Sequence, residues 1–262
     1  MADRGLSRAF SHGRPALVAY LMAGYPTREE SLAALRILAE AGADLIELGV
    51  PYSDPLADGP VIRDAADAAR AAAGGTFGLA ETIDLAREFI ADAGDDAPPV
   101  ALMTYLNPLM RAGMPRVAAS MRDAGIGGVI VPDLPPEMAG PWLAASEGID
   151  TVFLVAPTST PERLAKVGSA SSGFVYCVSS TGVTGDRAEL PEELAELVAR
   201  VKAATELPVA VGFGVSTPAQ AAVVARSADG VIVGSAIVKR QADPGELRAF
   251  VQSLSAAARG IS

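Results

Sequence analysis

The chain has 262 residues, 50% of them hydrophobic and 20% charged, a length that suits one large α/β barrel or two small domains and buries a substantial core without covalent staples. Lys plus Arg is 21 and Asp plus Glu is 31, a formal net charge of −10 with no basic stripe, which argues against nucleic acid as a partner. One cysteine, Cys177, excludes a disulfide framework and a four-cysteine zinc site, and one histidine, His12, argues against histidine triads and multi-histidine metal centres.

The first segment, MADRGLSRAFSHGRP, lacks the apolar stretch of a secretory signal. Uncharged runs such as 207–225 are interrupted by Pro, Gly, Ser and Gln, so no membrane span is expected. The lone cysteine fits a reducing compartment, and a soluble, cytoplasmic protein is the expectation. Any acids and bases must then be carboxylates, tyrosine, lysine or the one thiol.

Taken in chain order, strands are predicted at 17–22, 45–49, 100–105, 128–131, 151–155, 174–179, 209–212 and 230–233, with helical stretches between them. The first strand runs into MAGYPT, which is not the glycine fingerprint of a dinucleotide-binding sheet. Helix patterning follows at 31–41, with Leu32, Leu35, Ile37 and Leu38 on a broad apolar face, and recurs at 79–93 and 191–204. Pro115, Pro161, Pro191 and Pro218 fit first turns, where a missing N–H costs nothing. Near-continuous apolar strands alternating with helices call for a parallel sheet covered on both sides. Eight such units in one unbroken chain predict a single (β/α)8 TIM barrel over residues 1–262, with an extra N-terminal helix; a doubly wound open sheet is the structural rival.

In such a barrel the chemistry gathers at the C-terminal strand ends. The second strand opens DLIELGVPYSDPLADGP, in which Leu45, Glu47 and Gly49 share one face. Glu47 is either a core glutamate paired to a cation or a buried proton carrier with a raised pKa. Asp58 precedes Gly59 and Pro60, so capping of the next helix and catalysis stand level for it. The sixth strand, GFVYCVSSTGVTGDR, carries Tyr176 on the face of Phe174 and Val178, where a core tyrosine is the commoner role; Cys177 points the other way and reads as a small hydrophobe. Beyond it Gly182, Thr184 and Gly185 suit a loop that closes over a ligand. The last two strands end in VGFGVSTP and DGVIVGSAIVKR, glycines that serve either tight turns or a phosphate cup of backbone N–H groups. Such a cup binds an anion despite the acidity of the whole chain.

The segments ELGVPYSDPLADGP, MTYLNP, VPDLPPEM, SSTGVTG, VGFGVS and GVIVGSAIVK, in this order and spacing, resemble the tryptophan synthase alpha subunit family over nearly the whole chain. The resemblance implies a lyase acting on indole-3-glycerol phosphate, which a retro-aldol reaction splits into indole and glyceraldehyde 3-phosphate in tryptophan biosynthesis. It places Glu47 as general acid/base and Asp58 as the second catalytic carboxylate. Gly185, Gly214, Gly234 and Ser235 match the phosphate-binding backbone, Phe213 and Tyr20 the indole pocket, and Tyr176 and Thr184 the supporting hydrogen-bond network. Ser180 departs from relatives that carry arginine in the same loop. The family implies a heterotetramer of two alpha and two beta chains, pyridoxal phosphate in the beta subunit, and no cofactor or metal in this chain. Contact loops are expected at 51–54, 107–108 and 133–135. Rival readings are a stand-alone indole-3-glycerol-phosphate lyase, a phosphate-binding isomerase or epimerase, and a barrel kept only to bind a partner; the presence of both Glu47 and Asp58 speaks against the last.

Overall fold

The computed structural model describes residues 4–56, 58–178, 192–212 and 214–260. Thr184, Gly185, Phe213 and Ser180 therefore lie outside the described residues. Among those described, nine strand segments form one parallel sheet: β1 (Ala16–Met22), β2 (Leu45–Gly49), β3 (Val100–Met103), β4 (Gly128–Ile130), β5 (Asp150–Val152), β6 (Leu154–Val155), β7 (Val175–Val178), β8 (Val209–Gly212) and β9 (Gly230–Val233).

The lateral order is β5-β4-β3-β2-β1-β9-β8-β7-β6. The two ends of that order, β5 and β6, are consecutive in the chain and separated only by Phe153. One backbone passage thus pairs with β4 through Asp150 opposite Gly128, and with β7 through Leu154 opposite Tyr176. The sheet closes on itself, and the fold is a (β/α)8 barrel.

The expected boundaries of the second, seventh and eighth strands coincide with β2, β8 and β9. The third ends earlier than its apolar run, because Tyr105 leaves the sheet to become the N-cap of the helix Leu106–Ala112. The expected fifth strand is interrupted at Phe153. The helix anticipated at 31–41 begins at Arg28, since the Thr27 hydroxyl accepts from the Glu30 N–H and donates to Glu30 Oε2 at 2.8 Å. A threonine N-cap of this kind satisfies one of the free N–H groups of the first turn and is a start signal. Pro115, Pro161 and Pro218 sit in first turns, as their fixed φ favours; Pro191 is not among the described residues.

Alternation along the strands divides the apolar side chains into two layers. Ile46, Leu48, Leu102, Val129, Cys177, Val211 and Val231 point outward and pack under the helices with Leu35, Phe89, Val117, Leu197, Val224 and Leu247. Each such Leu or Phe contributes about 1.5–3 kcal/mol when fully buried. Val18, Leu45, Ala101, Ile130, Val152, Phe174, Tyr176, Ala210 and Ile232 fill the lumen. The N-terminal helix is a 3-10 turn, Leu6–Phe10, whose Leu6 and Ala9 join that inner cluster from below. Glycines make its seat: a Cβ on Gly173 would lie 2.9 Å from Leu6 Cβ. Leu6 N–H donates to Asp150 Oδ2 at 2.8 Å, which fixes the turn across the barrel floor.

Candidate active site

At the C-terminal ends of the strands a cavity of about 230 Å³ is lined by Tyr20, Glu47, Asp58, Met103, Tyr176, Gly214, Gly234 and Ser235, with Val61, Ile62 and Ile232 among the apolar walls. It lies where the alternation of β2 sends Glu47 inward, between Tyr20 of β1 and Ala101 of β3 in register. The far end of β1 is held by Gln241, which accepts from Met22 N–H and donates to the Met22 and Tyr25 carbonyls at 2.7 and 2.6 Å.

Glu47 is 1% exposed, and its Oε2 has no hydrogen-bond partner among the described residues. Among the described residues no lysine or arginine pairs with it, so no described cation supports the core ion-pair alternative. Loss of water, reinforced by the charge of Asp58, pushes its pKa up to about 8. The carboxyl is therefore largely protonated at neutral pH and able to give a proton away.

Asp58 does not cap the helix that follows. The N-cap of Pro60–Ala72 is Gly59, without a side-chain cap, and the Gly59 carbonyl takes the Ile62 and Arg63 N–H groups at 3.1 Å. The Asp58 carboxyl instead faces the cavity and accepts a hydrogen bond from the Tyr105 hydroxyl. Burial raises its pKa, while that bond and the Arg63 guanidinium pull against the rise. Two carboxyls with different surroundings thus share one water-poor space, the arrangement that lets one carry a proton and the other a charge.

Tyr20 and Tyr176 close the sides of the cavity, both 4% exposed. Burial raises each phenol well above its ordinary pKa, and the charge of Glu47 adds to the rise in both. Across from the carboxylates, Gly214 has φ +85°, a backbone that favours glycine. Gly234 is the N-cap of the turn Ser235–Val238, so its first N–H groups have no acceptor within the turn. Three of the four expected phosphate-binding residues thus border the same cavity as Glu47 and Asp58.

Sequence reasoning singled out neither Met103 nor Tyr105, nor Val61 and Ile62. Met103 had a signal, since alternation from Ala101 puts it inside the barrel. Tyr105 had none: its link to Asp58 spans two loops and exists only in three dimensions. Outside the mouth, the loops at 51–54, 107–108 and 133–135 meet. Asn107 Nδ2 donates to the Tyr52 hydroxyl at 2.9 Å, Asp133 Oδ1 accepts from Leu106 N–H at 2.9 Å, and the Tyr52 ring lies 5.3 Å from that of Tyr105. Leu56, in the loop after β2, is 85% exposed.

The family model described as tryptophan synthase alpha chain matches residues 6–260. The chain belongs to that family. The tryptophan synthase alpha chain of Streptomyces avermitilis is 46% identical over 97% of this chain and 90% of its own length, and that of Mycobacterium tuberculosis 48% identical over 95% and 91%. A crystal structure of tryptophan synthase from M. tuberculosis superposes with TM-score 0.86 at 44% identity, covering 98% of this chain and 100% of that one. A structure of the tryptophan synthase α2β2 complex from Pyrococcus furiosus gives TM-score 0.83 at 38% identity, over 92% and 98%. The chain is thus a lyase of the tryptophan synthase alpha type, acting in tryptophan biosynthesis. None of its described helices is long and apolar enough to cross a membrane.

Proposed function

We propose that the Glu47–Asp58 cavity carries out the alpha reaction by dividing two proton transfers between unlike carboxyls. The carrying observation is the pair itself: a buried Glu47 with no cation partner among the described residues, and a half-buried Asp58 that Tyr105 and Arg63 keep more acidic, facing one cavity. Glu47, protonated at rest, gives its proton to the indole ring carbon that bears the glyceryl chain. The ring nitrogen becomes electron-poor, and Asp58 accepts its N–H and stabilises the positive charge. The Glu47 carboxylate then removes the proton from the hydroxyl on the adjacent carbon. That O–H pair becomes the carbonyl of glyceraldehyde 3-phosphate, the carbon–carbon bond breaks, and its electrons restore the indole ring. The proton count closes, with Glu47 protonated again. No metal or Schiff base enters.

Tyr20 and Phe213 are assigned to the indole pocket, Tyr176 and Thr184 to the hydrogen-bond network, and Gly185, Gly214, Gly234 and Ser235 to the phosphate; Thr184, Gly185 and Phe213 carry these roles on the family resemblance. For the phosphate cup a clean contrast exists. A Cβ on Gly234 would meet only ordinary contacts, 3.8 Å from Tyr20 and 4.0 Å from Ile62, so Gly234→Ala fits. Gly234→Asp puts a negative charge at the cup, and titration should show indole-3-glycerol phosphate and glyceraldehyde 3-phosphate binding far more weakly while free indole changes little. Equal weakening of all three places the phosphate elsewhere.

The partner is a tryptophan synthase beta subunit holding pyridoxal phosphate, in a cytoplasmic α2β2 assembly; this chain holds none. Support comes from the loop cluster of Tyr52, Asn107 and Asp133, which reaches Asp58 through Tyr105. A partner seated there biases the site toward its closed arrangement. Sedimentation with the cognate beta subunit should show a complex, and indole release from indole-3-glycerol phosphate should rise on mixing. A chain that stays monomeric beside that partner, with full activity alone, is a stand-alone lyase.

A further inference from the structure

The inner face of β2 carries a feature that the assigned roles leave unused. A Cβ built on Gly49 would overlap the Tyr20 hydroxyl and lie 2.6 Å from Cζ and 2.9 Å from Cε2. The Tyr20 ring therefore crosses from β1 onto β2 and occupies the space where residue 49 would have a side chain. Glu47 is two residues back on the same inward face, directly opposite Tyr20 in the β1–β2 register. The phenol thus roofs the carboxyl from the mouth side, while Ala101 of β3 leaves the other flank small. The opposite wall repeats the device: a Cβ on Gly212 would lie 2.5 Å from the Tyr176 hydroxyl.

We propose that Gly49 is a positioning residue: by having no side chain it seats the Tyr20 phenol over Glu47 and so keeps water from that carboxyl. This deepens the assignment of Glu47 as proton carrier and rests on it. Among the described residues, the titratable groups facing Glu47 are Asp58 from the loop after β2, Tyr20 from β1 and Tyr176 from β7. Burial is the first cause of its raised pKa, and Asp58 the second. Displacing the phenol weakens the first and leaves the second. The hydroxyl of Tyr20 is dispensable on this view, and the ring is not.

The test is Gly49→Ala in two backgrounds, read by the pH dependence of kcat and by thermal unfolding. In the native background the added methyl drives the ring off its seat. The limb that ends near pH 8 should move down by about one unit or more, a tenfold change in the protonation equilibrium, with kcat falling more than KM rises. Tyr20→Phe keeps a ring on the seat and should hold that midpoint near its native position. Tyr20→Leu lacks the three atoms that the methyl would strike, so in that background Gly49→Ala should add less than about a twofold loss. Equal losses in both backgrounds, or an unmoved midpoint in Gly49→Ala, overturn the proposal. Should Gly49→Ala fail to fold, recovery of a cooperative transition in the variant that also carries Tyr20→Leu supports the seat, and no recovery refutes it. If Glu47→Gln itself stays active, the catalytic assignment fails, whereas the coupling of positions 49 and 20 in unfolding still judges the seat.

Discussion

Glu47→Gln is expected to lower turnover by about a hundredfold or more, the usual worth of a positioned proton carrier, with the fold intact. Glutamine keeps the shape of the side chain and loses only the proton chemistry. A variant that retains more than about a tenth of native turnover refutes the assignment. Two pH signatures accompany it. With its pKa near 8, native Glu47 starts protonated, so kcat should fall as the pH rises through that value, and the limb should vanish in the variant. Stability carries the second signature. Between 4.5, where an exposed glutamate ionises, and about 8, the folded chain holds a proton that the unfolded chain has released. Rising pH across that window favours unfolding. The stability tied to this proton is present in full below the lower value and lost as the pH approaches the upper. Glu47→Gln has no such proton, so its Tm should gain on that of the native chain from pH 4.5 to 8.

Asp58→Asn should stay folded and lose activity by about a hundred- to a thousandfold, the cost of removing one group that stabilises developing charge. Asparagine still accepts from the Tyr105 hydroxyl, and no helix cap is lost because Gly59 occupies that position. Stability should hold or rise at neutral pH, since a half-buried charge has been removed. The variant also withdraws a charge that raises the Glu47 pKa, so any residual activity should show its alkaline limb shifted downward. An Asp58→Asn chain with native turnover would return Asp58 to a structural role.

Much of the barrel was legible because a period of two is unambiguous in short apolar strands. Once 45–49 is read as a strand, Glu47 must share a face with Leu45 and Gly49, and the structure places that face inward. The closing passage was less legible, as nothing in TVFLV signals that Phe153 divides β5 from β6. The start of Arg28–Glu40 was missed because Thr27 and Glu30 act as a pair across three residues, and the apolar pattern begins only afterward. Asp58 illustrates a harder limit. Its sequence context suits a cap, and only the backbone geometry shows that Gly59 holds that place and frees the carboxyl for Tyr105. The seat of Tyr20 over Gly49 is harder still, since it depends on which way one ring leans between adjacent strands. In the sequence, Gly49 only shares the face of Leu45 and Glu47; a glycine inside a strand is compatible with close approach but does not name the visitor.

The 3-10 turn at the N-terminus seals the floor of the barrel. Leu6 and Ala9 close the lower end, and Val18, Leu45, Ala101, Ile130, Phe174 and Ile232 fill the lumen above them. The barrel is a blind well rather than a tube, and Glu47 sits on its side wall above that filling. Ligands therefore reach Glu47 from the strand-end side and not through the floor. The loops carrying Tyr52, Asn107 and Asp133 lie on that side. A subunit docked on them would stand at the way into the well.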